Sequence, residues 1–234
     1  MDRGSEWFVP KFGPIRFRIA VGLLFLPYTG MVLSYTVMGS MIAEKISWDR
    51  VGAILLVYFL ALGIGAHALD ALGTRGTKPW GKVFSSRELL ALAIGPLTIA
   101  YAIGIYYMVF YAPLLWIIAM IEGFFLLAYN LEWFGGRFHT DEWFVFSWGF
   151  LPVLAGYVLQ TNSFSLSALA LAVAAGLLSH VEITVSRPYK ELKRLFLPTQ
   201  EDIDLIKRYE RILKSISFGA IMVGFGMVLW RWGY

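Results

Sequence analysis

Residues 51–71 read VGAILLVYFLALGIGAHALDA. A helix needs roughly 20 predominantly apolar residues to cross the hydrocarbon core of a bilayer, and this run supplies them. It closes on His67 and Asp70, three positions apart and therefore on one helical face. The stretch predicts an all-α, membrane-embedded fold whose polar chemistry lies where a span ends.

Six further segments share this character, at about 19–42, 89–110, 112–131, 143–160, 166–184 and 216–232. With 51–71 they predict a single integral membrane domain over 1–234, a polytopic bundle of about seven spans. Of the 234 residues, 58% are hydrophobic and 15% charged, more apolar surface than one soluble core of this size could hide. Nine Trp contribute to an aromatic content of 17%, and many aromatics fall at the ends of apolar runs, where amphipathic rings favour the headgroup zone. Pro27, Pro96, Pro113 and Pro152 lie in or beside the runs, and kinks are expected at Pro27 and Pro152. The first fifteen residues lack a short apolar core with a cleavage site, so the first run is expected to be a retained span.

The charges set the expected orientation. Lys11, Arg16 and Arg18 precede span 1, and Arg75, Lys78, Lys82 and Arg87 follow span 2. Eight more basic residues, from Arg187 to Lys214, separate spans 6 and 7, whereas the loops after spans 3 and 5 carry none. By the positive-inside rule the N-terminus faces the cytoplasm and the C-terminus the outside of the cell membrane, with only Lys45 and Arg50 against the trend. Between spans 6 and 7, Thr199 and Asp202 form a helix-capping pair. Apolar residues then recur at helical spacing through Ile216, which predicts an amphipathic helix lying on the cytoplasmic surface before the last span. The net charge of +4 comes with no basic stripe or stacking platform, so nucleic acid is not an expected partner. With no Cys, disulfides, thiolate metal sites and iron–sulfur clusters are excluded.

Burying a charge among lipid tails costs about 2.5–3.5 kcal/mol even on a lenient scale, so polar residues at span ends call for a reason. They collect on the face where the even-numbered spans end. Span 2 ends on His67 and Asp70, and span 4 on Asn130 and Glu132. The following loop adds His139, Asp141 and Glu142, and span 6 ends on His180 and Glu182. All three histidines thus sit within three residues of a carboxylate. Singly, such a histidine is ordinarily an interfacial, hydrogen-bonded group. Together with the carboxylates, His67, Asp70, Glu132, His139, Asp141, His180 and Glu182 are candidate ligands for a divalent metal, Mg, Mn, Zn or Fe. The loop GTRGTKPWGKVFSSREL could hold a phosphate or diphosphate through Arg75 and Lys78, or its charges could simply enforce topology. A P-loop, a nucleophile elbow, an H-E-x-x-H helix and a dinucleotide glycine fingerprint are missing. Few ionisable residues fall near mid-membrane, where a transporter would more often place them.

Three stretches carry a family resemblance. TKPWGKVFSSRELLALAIG (77–95), YNLEWFGG (129–136) and WGFLPVLAGY (148–157) are similar to segments of the UbiA-type intramembrane prenyltransferases, and the chain resembles a shortened, divergent member. The resemblance implies helices bundled around a central cavity, with Asp-rich motifs after helices 2 and 6 that hold Mg and an isoprenyl diphosphate. Those motifs fall here on AHALDALGT (66–74) and HVEITVSRPYKE (180–191). Asp70 matches the first motif's central Asp, but Ala66, His67 and Thr74 replace its other polar positions, and Glu182 alone occupies a carboxylate position of the second.

The implied activity is transfer of an isoprenyl group from its diphosphate to a lipid-soluble acceptor. His67, Asp70, His180 and Glu182 would be the catalytic or metal-binding groups, and Arg75, Lys78, Tyr129, Asn130, Arg187 and Lys190 the substrate contacts. The alternatives are a different His/carboxylate metal enzyme on the same scaffold, or a non-catalytic lipid- or quinone-binding or transport protein.

Overall fold

A computed structural model describes residues 4, 6–73, 80 and 83–233. The described chain is helical, without strands: α1 (Ile15–Leu23), α2 (Leu26–Met41), α3 (Trp48–Tyr58), α4 (His67–Gly73), α5 (Ser86–Phe110), α6 (Leu115–Asn130), a distorted turn α7 (Trp133–Gly136), α8 (Asp141–Phe144), α9 (Leu151–Thr161), α10 (Leu166–Leu192) and α11 (Gln200–Trp232). Among the described residues six helical segments are long and apolar enough to cross a membrane, and the other expected span, α6, is a shorter apolar helix of 16 residues.

Two spans change their winding midway. α3 passes through a π-helical stretch, Phe59–Ala66, into α4, and α8 passes through another, Val145–Phe150, into α9. Such widened turns recur at functional sites, and here the first leads directly to His67 and the second contains Trp148, both residues of the site. The expected kinks fall close to their prolines. α1 and α2 are joined at Phe25, whose backbone is left-handed (φ 44°), with Pro27 in the first turn of α2. Pro152 opens α9 just after the second π stretch.

The amphipathic helix expected before the last span is not a separate element. Thr199 and Asp202 form the expected reciprocal cap, but the helix then runs unbroken from Gln200 to Trp232. No proline lies within that range and its first glycine is Gly219, so nothing releases the chain from helical winding at the membrane border.

α2 is the buried axis, packed chiefly against α9 and α11. Serine and threonine hydroxyls are satisfied along the helix: Ser34 donates to the Gly30 carbonyl (2.8 Å), Thr36 to Leu33 (2.7 Å) and Ser40 to Thr36 (2.9 Å). Internal satisfaction is what an interior without water demands. The crossing with α9 is built on Gly39 and Gly156. A Cβ on the first would meet the Val153 carbonyl oxygen at 1.9 Å, and one on the second that of Thr36 at 2.0 Å. Backbone thus packs directly on backbone, as small residues permit in apolar bundles. By contrast α5 turns Ile94, Ile99, Ile105 and Val109 outward, the pattern of a lipid-facing helix.

At the end of the bundle opposite the basic loops, Arg50 and Arg231 each have a packing role. Arg50 donates to the carbonyls of Leu159 and Gln160 (both 3.1 Å) at the close of α9, with its guanidinium 5.0 Å from the Tyr111 ring centre. Arg231 donates to Ala43 and Glu44 at the end of α2. Arg50 thus satisfies carbonyls that the terminus of α9 leaves unpaired, and Arg231 those of the turn just beyond α2. Arg50→Ala is therefore expected to cost about 1.5–3 kcal/mol, the worth of charge-assisted hydrogen bonds. The measurement is thermal unfolding in detergent; an unchanged melting temperature would contradict this role.

Candidate functional site

At the end of the bundle that carries the basic loops, a cavity of about 270 Å³ opens between α2, α4, α6, α10 and the turns after α6. α4 supplies His67 and Asp70, the end of α6 supplies Tyr129 and Asn130, and the loop before α8 supplies His139. One face of α10 supplies Glu182, Arg187 and Lys190. The polar ends of spans 2, 4 and 6, grouped by the sequence reading, thus meet in one cavity.

Each side chain is held by its helix. His67 is buried, and its Nδ1 lies 3.0 Å from the Gly63 carbonyl inside the π stretch. Donation to that oxygen places the ring proton on Nδ1 and turns Nε2, an acceptor, the other way. The His67 ring stacks on Phe25 (4.7 Å) and contacts Trp148 (5.3 Å). His139 is fixed likewise, by its Nδ1 at 3.0 Å from the Tyr129 carbonyl and its ring stacked on that of Tyr129 at 4.3 Å. Asn130 donates to the Leu126 carbonyl at 2.8 Å. Glu182 is 5% exposed, with the Lys190 charge acting on its carboxyl, and a carboxyl so buried is costly without such compensation.

The cations form a row. Arg187, Lys190 and Arg194 recur at i, i+3 and i+7 along α10 and its exit, on the side that lines the cavity. Arg187 pairs through Nε with Asp141 Oδ1 at 2.5 Å, which ties α10 to the start of α8. Lys190 Nζ sits 5.6 Å from the Phe25 ring centre. Phe25 holds the left-handed backbone at the α1–α2 joint, and such a strained non-glycine residue points to a site that over-determines it. The N-terminal segment closes the wall behind it, with Phe8 against Phe25 (5.3 Å) and Tyr28 (5.9 Å).

The remaining candidates lie elsewhere. His180 is exposed, on the far side of α10 from Glu182, because residues two apart on a helix point in nearly opposite directions. Glu132 is half-buried at the close of α6 and outside the cavity wall, and Asp141 contributes through its ion pair. Arg75 and Lys78 lie outside the described residues. Among the described residues no three His, Asp or Glu side chains gather as they would around one ion. The divalent metal of the sequence reading therefore lacks a ready ligand shell among them.

Sequence reasoning passed over the aromatic lining, Phe25, Tyr28, Phe144 and Trp148, and the outer charges Glu191 and Arg194. It also passed over Glu122, a carboxylate in the middle of α6 that accepts a hydrogen bond from the Tyr58 hydroxyl. The signal was present: one acid inside the apolar run AMIEGFF (119–125) is costly enough to mark a position.

Compared with protein-family models, with curated proteins and with solved structures, the chain matches none.

Proposed function

We propose that this chain is a seven-pass, UbiA-like enzyme of the cell membrane, its N-terminus in the cytoplasm. It binds an isoprenyl diphosphate and transfers the isoprenyl group to a lipid-soluble acceptor. The supporting observation is the row Arg187, Lys190 and Arg194 in a cavity walled by Phe25, Tyr28 and Trp148. An amphiphile with an anionic head suits that combination: Arg and Lys match phosphate oxygens by charge and hydrogen-bond geometry.

In this reading the diphosphate head lies along α10. When the C1–O bond breaks, its electron pair leaves with the diphosphate, and the three cations offset the charge gathered there. Positive charge developing at C1 meets the faces of Phe25 and Trp148. The acceptor bonds to C1 and gives up a proton to a carboxylate of the cavity wall, Asp70 or Glu182 within it or Glu191 at its outer edge.

The test is incubation of the purified protein with radiolabelled isoprenyl diphosphates of several chain lengths and native membrane lipids, with and without Mg. Diphosphate release with a labelled lipid product is expected, and Asp70→Ala or Glu182→Ala should reduce it. No release under any condition would refute the transfer; full activity of both variants would remove those two carboxylates from the chemistry.

A further inference from the structure

A second cavity opens away from the mouth. It is a cleft of about 90 Å³ between α3, α5 and α6, with apolar walls that include Ile54, Leu62, Met108 and Ile118. Its rim carries exposed Tyr101, and the neighbouring surfaces of α3 and α5 expose Leu56 and Ile105, so it faces the lipid side of the bundle. Its polar anchor is Glu122. Glu122 is half-buried; one carboxyl oxygen accepts from the buried Tyr58, and no hydrogen bond from a described residue reaches the other. Gly123 leaves room for a second hydroxyl: a Cβ there would stand 2.8 Å from that of Tyr101.

Glu122 also borders a small void of about 10 Å³ shared with Asn130, Ser147 and Trp148. Asn130 and Trp148 in turn line the mouth cavity. The carboxyl therefore stands in the partition between the lipid-side cleft and the mouth.

We propose that this cleft is a binding site for a hydroxyl-bearing lipid, whose O–H donates to the second oxygen of Glu122 while its chain lies along α3 and α5. A mid-membrane carboxyl is too costly to keep without a partner that uses it, and Tyr58 satisfies half of it. Among the described residues of the cleft wall the polar groups around Glu122 are the hydroxyls of Tyr58, Tyr101 and Tyr107, and a further hydroxyl donor matches that setting. The volume takes a headgroup, with the remainder of the molecule in the surrounding hydrocarbon. The site is independent of what the mouth binds.

The experiment uses the full chain in lipid nanodiscs with a diazirine-bearing long-chain alkanol as photoprobe. Labelled peptides are expected to come from 53–62 and 100–123. An unlabelled alkanol should compete about tenfold better than its methyl ether, the worth of one hydrogen bond, and Glu122→Leu should erase that difference. Labelling spread evenly over the lipid-facing helices, or equal competition by alkanol and ether, would overturn the site. Competition strongest from the corresponding amine would overturn the assignment of a neutral hydroxyl. Should Glu122→Leu fail to fold, the alkanol-against-ether comparison on the unaltered protein decides alone.

Discussion

Replacing Gly156 with Leu is expected to abolish folding. The Cβ alone would stand 2.0 Å from the Thr36 carbonyl oxygen, and beyond it the crossing chain is backbone, with Ser40 N at 3.1 Å. Overpacking a core against side chains costs about 1–3 kcal/mol because rotamers can adjust. Here α2 itself must move, and α2 is the helix on which α9 and α11 both pack. The cost should exceed that range, a large share of the ~5–15 kcal/mol that holds a typical domain. The measurement is the yield of monodisperse protein in detergent and its melting temperature. Gly226→Ala is the control: nothing lies within 4 Å of its Cβ position, and Ala is the better helix former by up to about 1 kcal/mol. A normal yield and melting temperature for Gly156→Leu would mean that the crossing is not as tight as described.

Reversing the charge at Arg187 should have the largest effect on ligand binding. Arg187→Glu removes the first cation of the row in the mouth and sets a carboxylate against Asp141, its partner at 2.5 Å. Affinity for the proposed ligand, an isoprenyl diphosphate, should fall roughly 10- to 100-fold, which corresponds to losing one or two charge-assisted hydrogen bonds. Two mechanisms could produce that loss: the missing headgroup contact, or displacement of α8 from α10. The swap of Asp141→Arg with Arg187→Asp separates them, because it restores the ion pair while leaving the cavity position acidic. Stability should recover in the swap and binding should not. Lys207→Ala, near the start of α11, outside the cavity wall and in an exposed pair with Asp204, should leave affinity unchanged. Recovery of binding in the swap would show that Arg187 acts by positioning α8, not by touching the headgroup.

The α10 residues show how far local sequence carries a site. His180 and Glu182 stand together in HVEITVSRPYKE, and proximity along the chain assigns both to one centre. The helix separates them, His180 to the outside and Glu182 to the cavity wall. Arg187 and Lys190, three apart, share a face and arrive together. Glu122 shows the reverse. It has no polar neighbour in sequence, and Tyr58, its partner, lies 64 positions earlier.

The sequence by itself determined which segments are apolar enough to cross a bilayer, where their polar ends fall and which loops carry the positive charge, since each depends on the composition of one short window. It also determined the cap at Thr199. Where two structures were open to one window, as in the charged half of α11, it did not decide between a surface helix and a continuous one. Tertiary structure alone decided which helical faces meet, and so which residues share a cavity. That choice rests on rotation and crossing distance, which are fixed by contacts such as those of Gly39 and Gly156 between segments more than a hundred residues apart.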